Sequence, residues 1–512
     1  MMKRIFAGII LVLLLTGMLA LACNIQPARS EPTTWIVDDD GPADFSKIQD
    51  AINAANPGDV IYVKVGTYYE NIVVDKTVSL TGEKPAETII DGETARVEIR
   101  ANNVTIQNFT IRNSNQVTDW SSNNLVSISN FNGTLIQGNV ITSPDGKTAG
   151  IVVMNSYRNI ISGNNITANY NEGIRLYHSS NNTVSGNNIT GNSIDLDESS
   201  YNNTLTENSV SLTHIGCVGS FNIISRNSVT NSSHIGGAIA LYGSSNTISE
   251  NIITNNEWGV TLYGHGHNIS GNTISASTYD GILVYSNDSR IYSNNITDNG
   301  QAGIEIEISC SDNEFYHNNL INNTRNVLTL ALLGNPPMHN TWDDGYPSGG
   351  NYWSDYNGND SNHDGIGDSN CTIDANNNDR YPLMGMFSDF GATSEYHVQS
   401  ISNSSISSFQ YGDSSIRFNV TGEDGTKGFC RICIPTALMN ATYRVFVNGT
   451  EVSYSVLACS NTTHSYLYFT YSHSTKDIVI IPELASLIIL PLFMMATLLA
   501  VIVYRKKRIS TR

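Results

Sequence analysis

The sequence predicts an all-β protein: a right-handed parallel β-helix, then a small β-sandwich, then one C-terminal transmembrane helix. Three observations carry this prediction. The element G-N-x-I-T recurs as GNVIT (138–142), GNNIT (163–167), GNNIT (186–190), ENSVS (207–211), RNSVT (226–230), ENIIT (250–254), GNTIS (271–275), SNNIT (293–297) and HNNLI (317–321), in steps of 19 to 25 residues. Such a fixed period is the signature of a solenoid. Each unit holds only short alternating apolar pieces bounded by Gly, Asn and Ser, which excludes helical and leucine-rich repeats. Finally, a charge-free apolar run closes the chain and is followed by four basic residues.

At the start, Lys3 and Arg4 precede the apolar run Ile5 to Leu21, and Ala20-Leu21-Ala22 offers a small-residue cleavage site. Residues 1–22 read as a secretory signal peptide. Lipidation at Cys23 is the alternative, although Ala20 stands where a lipobox carries leucine. The solenoid is expected over 33–385. Its first piece, about 44–55, has Ile48, Ala51, Ile52 and Ala55 on one helical face, suited to lie across the open end of the coils.

Within a coil, each strand stacks on its counterpart about 4.8 Å away. Ile, Val and Leu then form core ladders. The repeated Asn139, Asn164, Asn187, Asn208, Asn227, Asn251, Asn272, Asn294 and Asn318 form an amide ladder at a corner. A second pulse, as in GIRLYHS and GVTLYGH, turns two rows of side chains outward. One row reads Val152, Arg175, Asp195, Gly216, Ala240, Thr261, Leu283, Glu305. The other reads Met154, Tyr177, Asp197, Val218, Tyr242, Tyr263, Tyr285, Glu307. Arg175, Tyr177, Asp195, Asp197, Tyr242, Tyr263, Tyr285, Glu305 and Glu307 are therefore the candidate carbohydrate-binding residues, an aromatic strip flanked by acids. Asp195 with Asp197, and Glu305 with Glu307, have the spacing of a glycosidase pair. The two pairs lie about five coils apart, roughly 24 Å, too far to cooperate, and no catalytic residue is assigned.

The stretch DSNHDGIGD places Asp360, Asn362, Asp364, the Ile366 carbonyl and Asp368 at positions one, three, five, seven and nine, with Gly365 at six. That spacing wraps a hard cation, so a structural calcium loop is expected at 360–368. Residues 388–481 lack the repeat and alternate as a small β-sandwich, with Asn448-Gly449 as a hairpin signal. Asn440, Asn448 and Asn461 are its glycosylation candidates. Residues 485–504 are long enough to span a bilayer, and the basic tail 505–512 orients them with the C-terminus cytoplasmic.

Cys430-x-x-Cys433 lacks the second half of a zinc site, and a disulfide from one of them to Cys459 is the simpler expectation outside the cell. Cys217 and Cys310 fall on apolar positions as buried thiols. A net charge of −19 with 27 basic against 46 acidic residues excludes nucleic acid as a partner.

The opening IQDAINAANPGDVIYVKVGTYYENIVVDKTVSLTGE, the GNNIT…GIxLY coils and the closing GGNYWSDYNGND…DGIGD…DRYPLM resemble the NosD-type β-helix proteins, pectin-lyase-like solenoids that overlap carbohydrate-binding proteins and sugar hydrolases. The tethered form with RFNVTGEDGTKGFCRICIPTALMNATY is similar to cell-surface proteins of methanogenic archaea. The resemblance implies a single-pass surface protein binding polysaccharide or building the envelope beside other envelope proteins. A carbohydrate-active enzyme and a copper accessory protein are the alternatives. The copper reading is disfavoured, because His178, His234, His265 and His267 fall in turns without a methionine cluster.

Overall fold

The computed structural model describes residues 31–92, 97–113, 124–143, 148–167, 172–331, 338–440 and 442–483. The proposed signal peptide and membrane span lie outside these residues. Among the described residues no helix is long and apolar enough to cross a membrane.

About twelve coils wind through three parallel sheets of 13, 13 and 12 strands. Face I begins at Thr34–Val37 and ends at Glu314–Tyr316. Face II runs from Gly66–Tyr68 to Tyr352–Trp353, and face III from Ile72–Val74 to Val327–Thr329. Every coil crosses the three in that order. Inward positions are aliphatic because they have nowhere wet to point. On face I the ladder Ile136, Ile161, Val184, Leu205, Ile224, Ile248 is fully buried, as is Ile141, Ile166, Ile189 on face II.

Turning a corner every few residues requires a backbone reversal, and one device performs it at all three corners. A residue in the left-handed region comes first, and a side-chain acceptor follows. At the corner between faces I and II, Gly138, Gly163, Gly186, Glu207, Arg226, Glu250, Gly271, Ser293 and His317 have φ between +53° and +66°. The glycine of the repeat supplies that conformation without strain, and five coils adopt it with other residues. The following asparagine accepts the backbone N–H of its counterpart one coil back at 2.8–3.1 Å. Its Nδ2 donates both to the next amide and to a strand carbonyl, as in Asn208 Nδ2 to Asn227 Oδ1 and to Val184 O, each 2.9 Å. A second ladder, Asn159–Asn182–Asn203–Asn222–Asn246, holds the corner between faces III and I. At the remaining corner Ser232 donates its N–H to Asn256, and Ser277 to Asn299.

The ends are closed differently. The N-terminal helix is Ile48–Ala54, within the expected 44–55. Ile48, Ala51 and Ile52 are buried against the first coils. Glu70 accepts the N–H of Ile48 and Gln49, and Lys76 donates to the carbonyls of Ile52, Asn53 and Ala55, so the first coil satisfies both helix ends. At the far end Phe315 stacks on Trp342 at 4.3 Å beneath Trp353. The first ladder ends in a carboxylate: Asp379 accepts from Asn351 N, Trp353 Nε1 and Tyr381 N at 2.7, 2.8 and 3.0 Å.

Beyond residue 386 two antiparallel five-stranded sheets enclose their own core around Ile416, Phe418, Ile432, Phe469 and Ile480. Cys430 faces that core, whereas Cys433 faces the solenoid cap. The disulfide to Cys459 is not present: all six described cysteines are thiols. Cys217 and Cys310 are buried.

Candidate functional site

Face III carries both outward rows in the expected register. Arg175 pairs with Asp195, Asp195 with Gly216, Ala240 with Thr261, and Leu283 with Glu305. The rows are not both surface, however. Ala240 is fully buried and Thr261 is 2% exposed. The Tyr242 hydroxyl lies beside Gly236, across the sheet from its own backbone. The tyrosine rings therefore lie over this floor. Tyr242, Tyr263 and Tyr285 stack at 5.0 and 4.6 Å with interplanar angles of 7° and 6°. Parallel stacking follows from the coil spacing, which falls within the centroid separation of offset-stacked rings. It also occupies the inner ring faces, so the strip offers edges and hydroxyls rather than a flat aromatic platform. Beside it, Trp258 stacks on Tyr279 at 4.4 Å.

A polar cluster stands at each end of the stack. Toward the N-terminus His214 Nε2 lies 3.5 Å from Asp195 Oδ1, and the His214 ring stacks on His234 at 3.6 Å. Burial, then the neighbouring His214, holds His234 below its ordinary value. Ser193 also hydrogen-bonds Asp195. Arg175 is held by Glu172 at 2.8 Å and lies over the Tyr177 ring. Asp197 is not available beside Asp195. Its carboxylate folds back to accept from His178 N at 2.9 Å and Ser200 Oγ at 2.6 Å, and His178 Nδ1 lies 3.2 Å away.

Toward the C-terminus the cluster is acidic. Glu305 is 7% exposed and accepts from Gln301 Nε2 at 2.6 Å. Asp280, 2% exposed, accepts from Ala302 N at 3.0 Å. Burial, then the Glu305 charge, pushes Asp280 up to about 7; burial also raises Glu305. Glu307 hydrogen-bonds the Tyr285 phenol, which is pushed up to about 12, chiefly by burial. Glu305 and Glu307 are joined here by a third carboxyl: beyond burial, the Glu307 charge raises Glu305, and both charges raise Asp280, from the preceding coil. Sequence reading missed Asp280 and His214, and named His234 only in the disfavoured copper reading, because all three stand in turns before the strand, where coil length varies. Their one signal is position, just ahead of the Gly-Ile pulse.

The acidic loop forms a tight turn. Asp360 accepts from Asp364 N and Gly365 N, Asp364 from Ile366 N, and Asp368 from Ser361 N. Asn362 donates to Asp364, and Ile366 bridges to Leu383. Asn440, Asn448 and Asn461 are exposed. In the NNIT units the sequon asparagines, such as Asn165 and Asn188, are not the ladder residues. They are exposed on face II, next to the buried Asn164 and Asn187.

A family model described as periplasmic copper-binding protein (NosD) matches residues 52–235 and 217–358, more than half of the 512 residues. The chain belongs to the NosD family.

No curated protein matches it. Among solved structures, the catalytic domain of a GH87 alpha-1,3-glucanase variant in complex with tetrasaccharides is 15% identical, with a TM-score of 0.50, over 63% of this chain and 71% of that one. The Dettilon tailspike protein is 11% identical over 85% and 89%, TM-score 0.39. A mannuronic acid specific polysaccharide family 6 lyase from human gut microbiota is 13% identical over 58% and 83%, TM-score 0.42. At these identities the first likeness is one of fold, and the other two carry no argument.

The NosD description makes copper worth testing against the donors. Copper sites converge His, Cys or Met on one point. Among the described residues the only group of three or more His, Cys, Asp or Glu side chains with ligand atoms within 4.8 Å of one another is Asp38, Asp39 and Asp40, all hard oxygen donors. His267 takes a ladder position instead, with Nδ1 accepting from Asn246 N and Nε2 2.5 Å from Tyr263 O. His214 and His234 are parallel at 10°, so their in-plane lone pairs run side by side. His178 is turned to Asp197, and His265 stands exposed in its turn. Among its described residues this NosD-family chain gathers no group of three His or Cys donors.

Proposed function

We propose that this NosD-family protein is a membrane-tethered, extracellular solenoid that binds polysaccharide along face III without catalysis. The single observation that supports this reading is the Tyr242–Tyr263–Tyr285 stack set between the Asp195–His214–His234 cluster and the Asp280–Glu305–Glu307 cluster. Sugar hydroxyls meet the tyrosine phenols, the acids and the imidazoles, the aromatic-lined chemistry with a few placed polar groups of carbohydrate sites. The glucanase neighbour with bound tetrasaccharides makes such use of the fold reasonable. A glycan array on the wild type should give a defined set of binders, with Tyr242→Ala and Tyr263→Ala each losing roughly tenfold in affinity, the scale of one lost hot spot. An array with no binder removes the reading and leaves a purely structural envelope role.

A carbohydrate-active enzyme is the second reading, favoured by Asp280 near 7 beside a raised Glu305, the pattern of acid–base chemistry. Product release from any bound glycan, abolished by Asp280→Asn, would establish it. The loop at Asp360, Asn362, Asp364, Ile366 and Asp368 is proposed to hold calcium at the junction with the sandwich, where His363 stacks on Tyr468. Chelator is then expected to lower Tm by several degrees, reversed by calcium and absent in Asp364→Ala; an unchanged melting curve argues against the ion.

A further inference from the structure

A cleft of about 640 Å³ opens between the solenoid and the sandwich, away from face III. Its solenoid wall is the outer row of face I, where Ser249, Ser270, Tyr292 and Tyr316 occupy successive coils. Tyr292 stacks on Tyr316 at 5.1 Å and 8°. On its other side the row continues with Ser270 and Ser249, which are too short to cover a ring. Tyr292 thus has one aromatic face free, over a floor of hydroxyls. This is what the face III stack lacks in its middle.

The opposite wall is the sandwich hairpin Met386–Gly391 and His397–Ser402. Phe390 is braced against Phe409 at 4.5 Å and 5°. Asp389 Oδ1 lies 3.1 Å from His397 Nδ1 at the rim. The two walls are fixed to each other. Phe387 donates its N–H to Asn319 Oδ1 at 2.8 Å and accepts from Asn319 Nδ2 at 2.9 Å, while the His317 ring stacks on Phe387 at 3.9 Å. Burial holds His317 down to about 4, neutral as this packing requires. The cleft is therefore preformed, and its volume falls within that of small-molecule sites. Among the described residues its lining includes Glu250 and Asp389 but neither lysine nor arginine.

We propose that this cleft binds a short neutral saccharide, with one pyranose ring laid on the free face of Tyr292 above Ser270 and its hydroxyls bonded to Asp389, His397 and the serines. An aromatic face beside uncharged hydroxyls and a carboxylate acceptor suits a polyol ring. Two carboxylates, with neither lysine nor arginine among the described lining residues, disfavour uronates and sulfated sugars. The site is independent of the face III reading, because it lies on other sheets and uses none of the same residues.

The test is calorimetric titration of the full chain carrying Tyr242→Ala, so that face III is weakened. The probes are maltotetraose, cellotetraose, laminaritetraose and mannotetraose, with tetragalacturonate as the anionic control. At least one neutral tetrasaccharide is expected to bind and tetragalacturonate is not. Ser270→Tyr extends the existing stack and covers the free ring face, so it should weaken binding at least tenfold without lowering Tm. Asp389→Ala at the rim should weaken it several-fold, and serves also if Ser270→Tyr does not fold. The proposal is overturned if no neutral probe binds, if tetragalacturonate binds equally, or if both cleft variants bind as their parent does. Loss of binding on face III with binding retained here would sink only the earlier reading, and the reverse result only this one.

Discussion

Asn208→Ala is expected to destabilise the solenoid by about 3–5 kcal/mol, because four hydrogen bonds at a dry corner are lost together. Asn208 Oδ1 accepts from both Asn187 N and Asn187 Nδ2, and its own Nδ2 serves Val184 O and Asn227 Oδ1. No water replaces them at a residue 1% exposed. Asn188→Ala is the matched control. It removes an asparagine of the same GNNIT unit, but one that is exposed on face II, and should change stability by less than about 0.5 kcal/mol. Thermal or urea unfolding of the two variants decides the matter. Similar small losses in both would mean that the ladder is a consequence of stacking rather than a support for it.

Asp280→Asn should change the pH dependence of stability in a direction opposite to that of most carboxylates. Burial and the Glu305 charge raise the folded-state value to about 7, above that of the unfolded chain. A raised carboxyl favours folding while it is protonated, and that advantage is lost as pH rises through about 7. Between pH 5 and pH 8 the wild type should therefore lose about 2 kcal/mol at this group. Asparagine keeps an acceptor for Ala302 N and carries no charge, so the variant should melt higher than wild type at pH 8, by less at pH 5, and close to it only below about pH 4, where the unfolded chain is protonated too. The difference between the two curves isolates Asp280, since Asp379, also raised to about 7, and the depressed His317 are common to both proteins. A variant less stable at pH 8 than at pH 5, relative to wild type, would show that Asp280 is ionised and paired when folded.

The parallel β-helix was legible because its period is written in the chain: Asn164, Asn187 and Asn208 recur with an apolar residue two positions on, and neither turns nor insertions disturb them. Only one of the three corner devices was readable in this way. The ladder through Asn159, Asn182, Asn203 and Asn222 passes to His267 and Ser289, so residue identity changes while the role does not. The outward register of face III was also legible, since alternation fixes it once Ile and Leu point inward. Its depth was not. Ala240 and Thr261 are buried although they point outward, and the turn at Gly237 lies against Thr261, so cover from a neighbouring turn rather than position along the strand sets their depth.

By itself, then, the sequence determined the solenoid, its inward ladders, the asparagine corner and the row in which Tyr242, Tyr263 and Tyr285 stand. Those features are local and repeated, and each follows from a short-range rule of period and polarity. The tertiary structure alone decided what the side chains do with their positions. It turned Asp197 back to His178, placed Asp280 against Glu305, gave His267 a ladder role and left one face of Tyr292 open opposite Phe390. Each of these depends on contacts between coils or between the solenoid and the sandwich, and turns of unequal length keep such contacts out of any periodic reading.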